Sequence, residues 1–322
     1  TPPNASDYVT WTDNTIVVKV PTGANANAGS GFVRVNGTMV SPSALIVRYS
    51  HISINNDFSG FGTDTRQRYY LRNLDGQGGY TFVYNNNFQS NTSAVSAFER
   101  ALDTWKCSTG INWRADGNTS STYADDNINV VLFDASLPSG VLARTTNRFQ
   151  GFATGFCNLQ STVWWLEEID IQANTSVNWQ FGPAFATPGQ FDFETVILHE
   201  LGHAHGLGHR IAFGQLMNFS VGSGANIRTP AAQEIQGGQD KMAYSIIPTC
   251  FNPTGSGTPM VAATCVVPVR LIGFTGALKT YGVELNWKTQ NEMNPDHFEV
   301  QRSMNGTEFN AIGKVKAKGN TA

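Results

Sequence analysis

His199-Glu200-Leu201-Gly202-His203-Ala204-His205-Gly206-Leu207-Gly208-His209 spaces its histidines so that three of them can meet at one point. On a helix, His199 and His203 lie one turn apart on the same face, where both imidazoles can bind one metal ion. Glu200, beside the first histidine, is positioned to act on a water held by that ion. Gly206 can take the positive φ that ends a helix and turns the chain back. His209 then returns as a third ligand, and three imidazoles with a water make an open tetrahedral zinc site. The spacing therefore predicts Zn2+ on His199, His203 and His209, with Glu200 as the acid–base group. His205 lies about 200° round the helix from His203 and points away from the metal.

The composition narrows the class of protein. A chain of 322 residues is long enough for a sizeable core and for two or three domains. Charged residues make up only 14% and the net charge is −3, so there is no basic field to draw nucleic acid. No apolar run approaches the roughly 18 residues needed to span a bilayer. Abundant Gly, Asn, Thr and Ser suit β-rich extracellular modules with many turns. A secreted or cell-surface monomer is expected, its leader either already removed or lying outside this stretch of sequence. None of Cys107, Cys157, Cys250 and Cys265 forms a CxxC pair, which argues against a second, cysteine-based zinc site. Of the three possible pairings, Cys107–Cys157 with Cys250–Cys265 is favoured, because the second pair brackets one short loop; buried free thiols are the competing reading.

Along the chain, Thr15–Val20, Phe32–Asn36 and Ala44–Ser50 carry strand signals, with Ile16, Val18 and Val20 alternating with polar neighbours. His51 to Gly79 has the composition of a polar connection; Asp57, Asp64 and Asp75-Gly76 offer oxygen ligands for a structural Ca2+, without EF-hand spacing. Tyr80–Tyr84 is a strand, and Asn91-Thr92-Ser93 caps a helix running to Trp105, with Val95, Phe98, Leu102 and Trp105 on its core face. Asn127–Asp134 fits a buried strand, Gly140–Asn147 an edge strand, and Trp164–Gln172 a further strand. Phe193–Gly206 is the helix that carries the first two metal histidines, and a last helix is expected over Thr229–Tyr244. The result is an α+β fold, strands packed under a few helices. Thr249 to Pro268 is a Pro/Gly-rich linker, followed by strands at Val283–Trp287 and His297–Arg302.

These motifs carry three resemblances. Residues 80–247 resemble the metzincin metallopeptidases, and among them the matrixins most closely. Gln215-Leu216-Met217-Asn218 follows the third histidine at the distance of that family's Met-turn, which implies Met217 as an apolar floor below the zinc. Ala97-Phe98 with Trp105 resembles the family's first helix, Asn127–Phe133 its third strand and Glu168-Ile169-Asp170-Ile171 its fifth. Val141, Leu142, Ala143 and Arg144 match the edge strand beside the substrate. Arg210 departs from the usual Ser of matrixins. Phe219 stands where astacins and serralysins have a metal-binding Tyr. The histidines left over do not provide for a second zinc, and no cysteine-switch segment precedes the domain.

Trp11–Ala24 and Gly31–Val35 resemble the later half of an IPT/TIG domain. Val283–Thr289, Phe298–Ser303 and Asn305–Phe309 resemble the fibronectin-like module of type 9 secreted bacterial proteins. The organisation expected is residues 1–54 as a partial IPT/TIG-like sandwich, 55–79 a connection, 80–248 a metzincin-type catalytic domain, 249–268 a linker and 269–322 a truncated fibronectin-like module. Together the resemblances imply a secreted zinc endopeptidase acting on protein or peptide substrates. The competing reading is a surface adhesion or binding protein with a degenerate peptidase domain. The flanking modules favour that second reading, and the complete ligand set opposes it.

Overall fold

Asn129-Val130-Val131-Leu132-Phe133-Asp134 begins with four residues buried on both faces, and such a run is stable only when covered from both sides. In the computed structural model it is a central strand of a six-stranded sheet. The residues described are 8–18, 28–35, 38–55, 66–153, 162–246, 258–265, 270–280, 282–290 and 297–316. They fall into two compact units, 1–264 and 265–322.

The sheet comprises β1 (Tyr69–Tyr70), β2 (Tyr80–Asn85), β3 (Trp113–Thr119), β4 (Asn129–Asp134), β5 (Ala143–Ala153) and β6 (Thr162–Asn174). Its order is β3-β2-β4-β6-β5, with β1 also paired to β6. Every pairing is parallel except that of β5 with β6. Parallel neighbours need a crossover, and α1 (Thr92–Thr109) supplies the one from β2 to β3. Its start is capped by the Asn91 side chain, which accepts from the Ala94 N–H, and Gly110 ends it at φ 78°. Ala94, Ala97, Phe98, Ala101, Leu102 and Trp105 form its buried stripe. The other two long helices are α2 (Phe193–Ala204) and α3 (Ala232–Ile246). The Trp105 indole donates to the Leu198 carbonyl at 2.9 Å and ties α1 to α2. The architecture is thus a mixed sheet with few helices, in line with the α+β expectation.

The edge strand starts later than the sequence suggests. Val141 and Leu142 lie outside it because Asn174 takes both of their carbonyls, through its side chain at 2.8 Å and its N–H at 2.9 Å. Two stretches with linker composition are built into the core unit instead. Tyr69, Tyr70 and Leu71 are buried, and the Leu71 N–H donates to Ser245 Oγ at 3.0 Å. Thr258–Ala263 runs along the domain, accepting from Asn73 at 2.7 Å and donating to Gly78 at 2.9 Å and Gly110 at 2.8 Å. Met260 is buried at its centre. A few apolar anchors and available backbone partners outweigh the polar composition of both stretches.

In the N-terminal region the strands are Ile16–Val18, paired with Tyr8–Trp11, and Gly31–Val35, paired with Met39–Leu45. In the second unit, Arg270–Lys279 pairs with Gly282–Gln290, and His297–Ser303 with Phe309–Lys316. Among the described residues these are hairpins, not closed sandwiches. Cys107 and Cys265 are each held in a disulfide. Cys157 and Cys250, on which the expected pairing depends, lie outside the described residues, as do Asp57 and Asp64. The Asp75 carboxylate is taken up by protein donors: the N–H groups of Gln77 and Gly79, the Thr81 hydroxyl and the Arg114 guanidinium.

Candidate active site

Helix α2 is fixed at both ends. At its start the Asp192 carboxylate accepts from the Thr195 N–H at 3.0 Å, and Glu194 sits in the first turn, where negative charge suits the helix dipole. Arg228 binds Asp192, and Arg100 binds Glu194 at 2.7 Å, so both buried carboxylates are compensated. At its end Gly206 has φ +97°, and the Leu207 N–H returns to the Gly202 carbonyl at 2.9 Å. That turn brings His209 back over the helix face that carries His199 and His203.

The three imidazoles converge. His209 Nε2 lies 3.2 Å from His199 Nε2 and 3.1 Å from His203 Nε2. The opposite nitrogens are anchored to carbonyls, His199 Nδ1 to Leu216 at 2.6 Å and His203 Nδ1 to Leu207 at 2.8 Å. A carbonyl only accepts, so each Nδ1 carries the proton and each Nε2 presents a lone pair to the shared centre. Lone pairs at this separation repel unless a cation lies among them, and this donor set suits Zn2+. Burial, reinforced by the neighbouring His203 imidazole, holds His199 well below its ordinary pKa of 6.5 and His209 at about 4. The neutral form that can bind a metal is therefore the resident one.

Glu200 is buried beside the centre. Burial raises its pKa, opposed by His203 and by hydrogen bonds from Thr145. The Thr145 hydroxyl lies 2.7 Å from Glu200 Oε2 and 2.9 Å from the Glu200 carbonyl. Two residues further along the strand, Asn147 donates to the His203 carbonyl at 2.8 Å. Strand β5 is thereby stitched to α2 alongside the site. Met217 lies below, against Gly202: a Cβ on Gly202 would stand 2.3 Å from Met217 Sδ. The Met217 N–H donates to Glu234 on α3 at 2.6 Å, and the other Glu234 oxygen takes the Ala231 N–H at 2.6 Å.

A cavity of about 690 Å³ opens over the histidines. Its walls include Val141, Leu142, Ala143 and Arg144 on one side and Leu216, Phe219, Val221 and Ile227 on the other. Phe219 has no oxygen to offer a metal, and Arg210 engages Gln215 and the Met217 carbonyl. His205 is fully buried between Trp105 and Trp113, with Nε2 2.9 Å from Thr109 Oγ1, away from the metal centre.

Sequence reasoning names His199, His203, His209, Glu200 and Met217, and the fold brings all five together. It misses Thr145, Asn147 and Glu234. None belongs to the histidine motif, and each meets the site only through tertiary packing. A family model described as matrixin matches residues 75–237, just over half of the chain. No curated protein matches the chain. No helix among the described residues is long and apolar enough to cross a membrane.

Proposed function

The chain belongs to the matrixin family of peptidases, and from that premise we propose that it is a secreted zinc endopeptidase that hydrolyses peptide bonds in protein substrates. The observation that carries this reading is the convergence of three imidazoles, two of them anchored to carbonyls, next to a buried Glu200. His199, His203 and His209 would hold the ion; bound there, Zn2+ acidifies a water molecule and polarises a carbonyl group.

The remaining work falls to the chain's own side chains. Glu200 accepts the proton of the attacking water and delivers it to the leaving amine, so the carboxylate returns to its starting state. Thr145 donates to the carboxylate and keeps it aimed. An extended peptide would lie along Val141, Leu142, Ala143 and Arg144, using main-chain hydrogen bonds that any sequence offers. Leu216, Val221 and Ile227 make the opposite wall apolar, which favours an uncharged side chain there. The IPT/TIG-like and fibronectin-like modules would act as spacers or binding modules, and the latter supports export to the cell surface or medium.

The test is cleavage of a denatured protein by the full chain, with zinc content measured in parallel. Activity is expected to vanish with a chelator and with Glu200→Ala. Activity that survives both overturns the proposal.

A further inference from the structure

The loop that carries His209 is held from outside the matched family region. Gly206 to Ile211 has α2 on one side, and on the other an upstream segment of the same chain. The Ile52 N–H donates to the Gly206 carbonyl at 2.8 Å, and the Gly208 N–H donates to the Ser50 carbonyl at 2.8 Å. His51 and Leu207 form the antiparallel bridge between those two bonds. Immediately after His209, Arg210 and Ile211 pair in parallel with Ala28 and Gly29. Upstream backbone thus brackets the third histidine on both sides.

The side chains interlock as tightly as the backbone. A Cβ on Gly208 would stand 3.0 Å from Ser50 Oγ, and one on Gly237 of α3 would stand 2.8 Å from the Tyr49 ring and 2.9 Å from Leu207. His51 Nε2 reaches the Gly237 carbonyl at 2.9 Å. Ser50 and Ala28 are buried at these contacts. The upstream segment is therefore wedged between the metal loop and α3, not laid over a surface.

We propose that Tyr49–Ile52, with Ala28–Gly29, forms a positioning strap for the metal centre: it supplies the strand against which the His209 loop is held in ligand geometry. The proposal rests on the zinc-peptidase reading and adds a requirement to it. Helix α2 alone orders His199 and His203, because both sit on one continuous hydrogen-bonded element. His209 follows two glycines, and its loop lacks a helix of its own. Removing the strap would free Gly206 and Gly208 to move, leaving two fixed ligands and one wandering one.

The experiment measures zinc loss from the full chain to an excess of competing chelator, with kcat and KM followed alongside. Ile52→Pro removes the N–H that bonds Gly206, 157 residues away from His209 in sequence. Zinc is expected to leave this variant about tenfold faster or more, as for loss of a partner that orients a ligand. Activity should fall through kcat, with KM unchanged, because the strap does not line the cleft. A milder pair guards against misfolding. Gly208→Ala should speed zinc loss through its contact with Ser50 Oγ, and adding Ser50→Gly should restore retention. Rescue is specific to the strap contact and would not follow from general loosening. Wild-type zinc retention in a folded Ile52→Pro, or no rescue in the double variant, overturns the strap proposal. Failure of the wild-type chain itself to bind one zinc overturns the zinc-peptidase reading instead.

Discussion

Thr145 Oγ1 lies 2.7 Å from Glu200 Oε2, so a hydroxyl from the edge strand holds the carboxylate that the helix presents to the cleft. Thr145→Val keeps the shape and removes the donor. Without it burial acts on Glu200 with less opposition, and the carboxyl titrates higher. The acid limb of the kcat/KM profile should move to higher pH, and activity near neutrality should fall about tenfold, with zinc content unchanged. An unmoved acid limb refutes this role.

Glu200→Gln should fold, bind zinc and fail as a catalyst. Loss of a general base costs about 10²–10⁴-fold in rate. Zinc stoichiometry and the thermal midpoint should stay at wild-type values. Full activity in the substituted protein is the outcome that rejects Glu200 as the base.

Gly202→Ala should disturb the floor of the site. The new methyl group would stand 2.3 Å from Met217 Sδ and 3.0 Å from its Cε, with the Trp105 ring 3.4 Å away. Overpacking of this kind costs about 1–3 kcal/mol, whereas the near-isosteric Met217→Leu should cost less than about 1.5 kcal/mol. Denaturant titration of both variants distinguishes a tight contact from a loose one.

The metal-free protein should weaken in mild acid. Burial holds His205 at about 3 and His209 at about 4, against an ordinary value of 6.5. Between those values the unfolded chain takes up protons that the folded chain refuses, so stability is present above pH 6.5 and is lost as the pH falls through the window. Each pH unit in the window costs about 1.4 kcal/mol per histidine. Urea midpoints at pH 7.5 and pH 5 measure the loss, and His205→Gln should flatten it. Equal midpoints for the wild type at the two pH values contradict the assignment.

Met260→Ala should destabilise the peptidase unit although the residue lies outside the matched region. Met260 is 2% exposed, and its sulfur accepts the Asn112 N–H. Truncation of a buried methionine costs about 2–5 kcal/mol. A thermal midpoint within experimental error of wild type would mean that the segment packs on a core it does not support.

The metal site was legible because its information is local. His199, Glu200 and His203 follow from helical spacing, and Gly206 from the turn that returns His209. Met217 is almost as readable, since it lies a fixed distance downstream. Thr145, Glu234 and Ser50 carry no such mark: each reaches the site across a strand, a second helix or a strap, and an ordinary Thr, Glu or Ser looks the same wherever it packs. The same difference explains the fold. Asn129–Asp134 announced itself by continuous apolar character, whereas Tyr69–Tyr70 is too short for periodicity and was hidden by polar neighbours. Gly140–Asn147 reads as an edge strand, but the claim of Asn174 on the Leu142 carbonyl shows only in three dimensions.

The run from Thr258 to Ala263 separates kinship from autonomy. The family match ends at residue 237, whereas the compact unit that contains the site extends to residue 264. A cut at the border of ancestry would strip partners from Asn73, Gly78 and Gly110 and uncover the seat of Met260. The peptidase would then inherit every group its chemistry asks for and still lack part of the wall that keeps water out of its interior.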